Sequence, residues 1–128
     1  MKIDREAVHS KFGGRCAYCG TEITLKEMQV DHMWPKCGGG TDEFQNLAPA
    51  CRKCNHYKRA NTVNGFRILM NDLHTRIQSI YIHEVAVRFG MATIKPFNGV
   101  FYFETLNLNN NQPAPAPVTG KEQWGKLK

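Results

Sequence analysis

The sequence of 128 residues lacks any apolar run approaching the roughly 18 residues that a membrane-spanning helix requires. Its first segment, MKIDREAVHSKFGGR, is charged throughout and does not have the apolar centre of a signal peptide. From these two absences we expect an intracellular, cytoplasmic protein.

Acidic residues are also scarce, since 11 Asp and Glu stand against 17 Lys and Arg and leave a formal net charge of +6. A basic surface attracts polyanions, so nucleic acid is the favoured class of partner, although composition alone does not identify one. The length suits one compact domain, which we place at residues 1–106. Residues 107–128, which include NQPAPAPVTG, have few apolar side chains to bury, and we expect a flexible tail there.

The cysteines are odd in number, at five, and without a secretion signal this argues against a disulfide framework. Cys16 and Cys19 form one C-x-x-C pair, and Cys51 and Cys54 form another. Two such pairs supply the four ligands of a closed tetrahedral zinc site. The spacing therefore predicts a structural Zn²⁺ ion, with redox or incidental thiols as the competing interpretation. Cys37, in the glycine-rich loop, is expected to be a free thiol.

The elements around the cysteine pairs are predicted to be short. We expect a helix in REAVHSKF, a strand in EMQVDH, a second strand in NLAPA and a helix after Cys51. Apolar residues at mostly three- and four-residue steps in residues 62–90 predict one long helix or two consecutive ones that end at Gly90. The segment FNGVFYFE predicts a β-hairpin turn at Asn98 and Gly99 that leads into an aromatic strand.

Four motifs follow one another in the chain: CAYCG, VDHMWP, CGGGTDEFQNL and CRKCNHYK. In this combination and spacing, over about residues 12–62, the chain resembles the HNH endonuclease family. The resemblance implies an α+β fold with a small ββα-metal core, also called a His-Me finger, held by the four-cysteine zinc site. Helices and a short β-hairpin in residues 63–106 would extend this core.

The resemblance also implies the roles of individual residues. His32 would be the general base that activates water, and Asn46 would orient it. Asp31 and Asn55 would hold a catalytic Mg²⁺, Mn²⁺ or other divalent ion at the scissile phosphate. Some members of the family have histidine at the position of Asn55, so His56, one residue further on, remains a rival ligand. Cleavage would leave 5′-phosphate and 3′-hydroxyl ends.

Phosphodiester hydrolysis needs groups of these kinds whatever the family. Histidine titrates near neutrality and accepts a proton from water, and a hard divalent ion takes carboxylate and amide oxygens as ligands. Lys58 and Arg59 lie three and four residues after Asn55, on the same side of a helix, so we expect them to contact backbone phosphates. Ordinary solvated charges are the alternative for each of them.

The expected partner is double-stranded DNA, bound by a monomer or a homodimer, two states that the sequence does not distinguish. The competing function is a non-catalytic zinc module that binds nucleic acid through its basic surface. That function would leave the adjacent Asp31 and His32 without a purpose.

Overall fold

The computed structural model describes residues 2–106 of the chain. This part contains two short strands and five helices, connected by loops. Two single 3-10 turns lie in the loop between the strands. In chain order the helices and strands are α1 (Arg5–Ser10), β1 (Gln29–His32), β2 (Leu47–Ala50), α2 (Arg52–Lys58), α3 (Val63–Gln78), α4 (Tyr81–Arg88) and α5 (Tyr102–Leu106).

The strands β1 and β2 form an antiparallel pair in which Val30 lies opposite Pro49 and His32 lies opposite Leu47. This register closes the loop between the strands at its base, directly beside His32. The loop folds back so tightly that a Cβ atom on Gly40 would lie 1.8 Å from the carbonyl oxygen of Trp34. Only glycine fits at that position.

Helix α2 begins as soon as β2 ends, with Cys51 as its N-cap and the Cys51 sulfur accepting from the Cys54 amide at 3.4 Å. The helix then contacts β1, and α1 contacts β2. The order of strand, strand and helix is the ββα arrangement that the motifs predict, so the α+β fold class is confirmed.

An aromatic core joins this small unit to the C-terminal helices. The Tyr18 ring packs edge-on against Phe66 of α3 and against Phe101, with centroids 5.2 Å apart in both pairs, and Phe66 stacks on Phe101 at 5.0 Å. Arg67 of α3 makes a two-pronged ion pair with Glu104 of α5, with both N to O distances at 2.7 Å. The helical extension therefore shares one core with the turn of residues 16–19, to which Tyr18 belongs.

The hairpin predicted in FNGVFYFE is wrong. The chain bends at Gly99, whose φ is +87°, but Tyr102–Leu106 form α5 instead of a strand. The amides of Tyr102 and Phe103 donate to the carbonyls of Tyr18 and Ala17, at 3.1 and 2.8 Å. These tertiary bonds satisfy the free amides of the first helical turn, and they override the strand preference of the aromatic residues.

The sequence predicted one long helix or two consecutive helices between residues 62 and 90. The structure has two, α3 and α4, with a break at Ser79 and Ile80. None of the helices in residues 2–106 combines the length and the apolar composition of a membrane span. The predicted tail, residues 107–128, lies outside the described residues.

Candidate active site

Four thiols meet where the turn of residues 16–19 approaches the start of α2. The Sγ atoms of Cys16, Cys19, Cys51 and Cys54 all lie within 4.8 Å of one another, and those of Cys19 and Cys51 are 3.8 Å apart. Four Zn–S bonds of about 2.3 Å in a tetrahedron place the sulfurs about 3.8 Å apart. The predicted ligand set therefore comes together with the size and chemistry of a metal site such as zinc. Cys37 is exposed and lies outside this group.

The clustered thiols change one another's pKa values. The hydrogen bond between Cys16 and Cys54 lowers the pKa of Cys16 and raises that of Cys54. Burial raises the pKa of Cys51. Because zinc binds thiolates, an ion at the centre of the cluster would replace the thiol protons and remove the competition between the sulfurs.

Asp31 is buried in β1, with an exposed fraction of 5%. The Tyr18 hydroxyl donates to its Oδ2 at 2.6 Å, and the Lys58 ammonium lies 3.3 Å from its Oδ1 and 3.2 Å from its Oδ2. Burial raises the pKa of Asp31 and lowers that of Lys58, while the charge of each partner opposes the shift. One carboxylate thus connects the cysteine turn, β1 and α2.

The prediction that Lys58 contacts DNA phosphates is wrong. Its side chain is 0% exposed, and besides Asp31 it donates to the carbonyls of His32 and Asn61, at 3.1 and 2.6 Å. An ammonium has three N–H donors, so none remains for a phosphate. Helical spacing correctly placed Lys58 on one side of α2, but that side faces β1. Arg59 is exposed and remains a candidate phosphate contact.

His32 ends β1 with its ring half-buried against the loop that follows. Its Nε2 lies 2.7 Å from Oδ1 of Asp42, and the Lys36 ammonium donates to Oδ2 of the same carboxylate at 3.2 Å. The hydrogen bond with His32, followed by the one from Lys36, lowers the pKa of Asp42, which therefore carries a negative charge near neutral pH. A carboxylate only accepts, so the Nε2 of a neutral ring carries the proton and Nδ1 keeps its lone pair.

Sequence reasoning missed Asp42. The residue follows the glycines of GGGTD, ten positions after His32, and only the fold of the loop brings the two side chains together. An acidic residue at the end of a glycine-rich loop that returns to a histidine is the feature that could have indicated it.

Asn46 acts on this loop and not directly on the His32 ring, which corrects the role that the resemblance implied. Its Oδ1 accepts from the Trp34 amide at 2.8 Å, and its Nδ2 donates to the carbonyls of Trp34 and Thr41 at 3.0 and 2.8 Å. Asn46 thereby ties the two arms of the loop together. Because that loop carries Asp42, the effect of Asn46 on His32 is indirect.

Asn55 lies on α2 one turn before Lys58, and therefore on the side of the helix that faces β1. It is half-buried, and within residues 2–106 its side chain has no hydrogen-bond partner. Its amide oxygen is therefore available to an ion. His56, the next residue along α2, is exposed and lies about 100° further around the helix axis.

Comparison with known proteins connects this geometry to a family. A family model described as HNH endonuclease matches residues 16–68, a range that contains both cysteine pairs, Asp31, His32 and Asn55. Residues 16–68 belong to the HNH endonuclease family. The recognition made from the four motifs is therefore confirmed, and this part of the chain is an HNH endonuclease segment.

The relatives of this HNH segment include much larger proteins. It is 42% identical over 45 residues to the CRISPR-associated endonuclease Cas9 of Corynebacterium diphtheriae. This match covers 34% of this chain and 4% of the relative. The Cas9 of Actinomyces naeslundii is 40% identical over 47 residues, which covers 36% of this chain and 4% of the relative. The crystal structure of the Type II-C Cas9 enzyme from Actinomyces naeslundii aligns with a TM-score of 0.46 and 31% identity, over 50% of this chain and 7% of that one. The matched part spans about 4% of the length of these curated relatives.

Replacing one clustered cysteine is expected to separate the metal site from the free thiol. Cys54→Ser should weaken zinc binding by more than about 100-fold. Losing only a hydrogen-bond partner of a metal ligand costs roughly 10- to 100-fold in affinity, and this variant removes a thiolate ligand itself. Cys37→Ser, the matched control, should bind zinc as the unmodified chain does. Zinc content after dialysis against a chelator measures both variants, and an equal content in the two would contradict the assignment.

Proposed function

We propose that this chain is a metal-dependent endonuclease that hydrolyses phosphodiester bonds in DNA. The observation that carries the proposal is the state of His32, whose Nε2 is held at 2.7 Å by Asp42 while Nδ1 keeps its lone pair. The family of residues 16–68 supports the same reaction. The proposed catalytic domain is residues 1–106, followed by residues 107–128 as a tail.

His32 acts as the general base in this proposal. Its Nδ1 takes a proton from the attacking water, a contribution of about 10²- to 10⁴-fold in rate. The positive charge that develops on the ring is stabilised by the Asp42 carboxylate, which also fixes the ring orientation. Lys36 keeps Asp42 ionised and limits its movement.

Asp31 and Asn55 would hold the divalent ion, with Mg²⁺ or Mn²⁺ as the favoured metals. Both offer oxygen donors, which suit a hard cation. A carboxylate has about four lone-pair positions, and Tyr18 and Lys58 do not occupy all of those on Asp31. When bound, the ion would polarise the phosphate and stabilise the departing 3′ oxygen. His56 is the alternative to Asn55 in this role.

The proposed substrate is double-stranded DNA, and the products carry 5′-phosphate and 3′-hydroxyl ends. The net charge of +6 and the exposed Arg59 support a polyanionic partner. The named relatives are endonucleases, which agrees with this class of substrate.

Replacement of the base tests the proposal directly. The zinc-loaded full chain with Mg²⁺ or Mn²⁺ is expected to nick or linearise plasmid DNA, and His32→Ala should slow this by about 10²- to 10⁴-fold. His83→Ala, in α4, is the matched control and should cleave at the normal rate, with zinc content and thermal unfolding unchanged in both variants. Equal cleavage by His32→Ala would refute the assignment. Salt-sensitive binding without cleavage by the unmodified chain would instead indicate a non-catalytic module.

A second variant tests the role of the carboxylate beside the histidine. Asp42→Asn is expected to lower the single-turnover rate by about 10- to 100-fold, because an amide can donate to Nε2 and so stabilise the tautomer that has no base at Nδ1. Glu43→Gln removes the same charge from the adjacent, exposed position and should cleave normally. The rates are measured at saturating DNA, and a similar loss in both variants would show that only the charge of the loop matters.

A further inference from the structure

A half-exposed tryptophan stands in the loop two residues after His32. Trp34 is 53% exposed, although indole is the largest side chain and is usually buried over most of its area. Its Nε1 donates to the carbonyl of Gly38 at 2.8 Å. The exposed ring is therefore held by its own polar atom at the protein surface.

The backbone of Trp34 is fixed as firmly as its ring. Asn46 bonds both its amide and its carbonyl, at 2.8 and 3.0 Å. A Cβ on Gly38 would lie 3.3 Å from the indole Nε1, and one on Gly40 would overlap the Trp34 carbonyl. Glycines therefore lie where the loop passes closest to the Trp34 ring and carbonyl, and the orientation of the ring is built into the fold before any ligand arrives.

One side of this ring borders an open cleft. The cleft has a volume of ≈ 270 Å³ and is lined by Trp34, Met33, Asn46 and the first residues of α3 with its N-cap, Thr62, Val63 and Asn64. Within residues 2–106, no aromatic ring or cation stacks on Trp34. Phe44, the other exposed aromatic side chain of the loop, differs because the Lys11 ammonium lies 4.6 Å from its ring centroid.

The distance between Trp34 and His32, the proposed general base, limits which part of a DNA strand can enter this cleft. Two residues of extended chain span at most about 7 Å, so Trp34 lies within one or two nucleotides of a phosphate bound at His32. In a regular duplex the faces of the bases are covered by their neighbours in the stack. Only a base that has left the stack presents a face to the indole.

We propose that Trp34 is a stacking platform for one nucleobase that has left the stack of the double-stranded substrate beside the scissile phosphate. Every base has a π face, so such a platform binds without strong sequence preference. Lys36, whose side chain is 59% exposed on the same loop, supplies attraction for the strand that carries the base. The placement of the strand rests on the proposed nuclease function, whereas the contact between ring and base is tested without cleavage.

Fluorescence of a single tryptophan tests the contact. The chain has two tryptophans, so Trp124→Phe in the full zinc-loaded chain leaves Trp34 as the only indole. Without added divalent ion, a single-stranded oligonucleotide is expected to quench Trp34 and to bind about 5- to 150-fold more tightly than a strand of equal length and charge made of abasic nucleotides. A fully paired duplex should quench less than the same duplex with one unpaired base.

Two substitutions separate stacking from folding, with binding measured by anisotropy of a labelled strand. Trp34→Ala should abolish the preference for the strand with bases, while Trp34→Phe, which keeps a ring but loses the Nε1 donor, should retain most of it. Phe44→Ala is the matched aromatic control and should retain it fully. Equal binding and quenching by the abasic strand, equal quenching by the paired duplex, or a loss in Trp34→Phe as large as in Trp34→Ala would each overturn the proposal.

The same preparations distinguish this proposal from the nuclease function. Base-dependent quenching without plasmid cleavage under Mg²⁺ or Mn²⁺ would support the platform and refute the nuclease. Cleavage without base-dependent quenching would refute the platform and support the nuclease.

Discussion

The rest of the structure depends on one constraint, which is that the thiols of the two cysteine pairs come together in a single cluster. The strands have four residues each and α2 has seven, too few to bury a core that would hold them together. The four Sγ atoms lie within 4.8 Å of one another, so an ion bound between them would fix the turn of residues 16–19 against the start of α2. This same turn places Tyr18 in the aromatic core and beside Asp31, and its carbonyls receive the amides of α5. Loss of the metal site would therefore loosen the candidate active site as well.

The buried ion pair of Asp31 and Lys58 holds β1 and α2 together next to the cysteine cluster. Two opposite charges at 3.2 Å in a buried site are strongly coupled, and removing one partner would leave the other charge without compensation. Since Lys58 also bonds the His32 carbonyl, the backbone of the proposed base is held by the helix while its ring is held by the loop. The loop carries Asp42 on one arm and Trp34 on the other. Asn46 joins these arms, so one amide side chain positions both Trp34, the proposed platform, and the part of the loop that holds the His32 ring.

Features that depend on local chemistry could be predicted from the sequence. Cysteine pairs reach one ion because two intervening residues fix a turn, and the strands around Val30 and Ala48 follow from short alternating or apolar segments. Features that depend on contacts between distant segments could not. Aromatic residues predicted a strand where amide bonds to the cysteine turn produce α5, and spacing alone could not show that Lys58 faces a buried carboxylate. Asp42 meets His32 only through the path of a glycine-rich loop, which no periodicity describes.

The protonation of His32 tests the proposed mechanism most directly, because catalysis by this residue requires Nδ1 to be free. Side-chain ¹⁵N NMR of the zinc-loaded full chain, with His32→Ala used to assign the resonances, reports which ring nitrogen carries the proton when the ring is neutral. The bond to the Asp42 carboxylate predicts a proton on Nε2 and an unprotonated Nδ1. A ring that carries its proton on Nδ1, or one that exchanges freely between the two tautomers, would contradict the assignment of His32 as the positioned base.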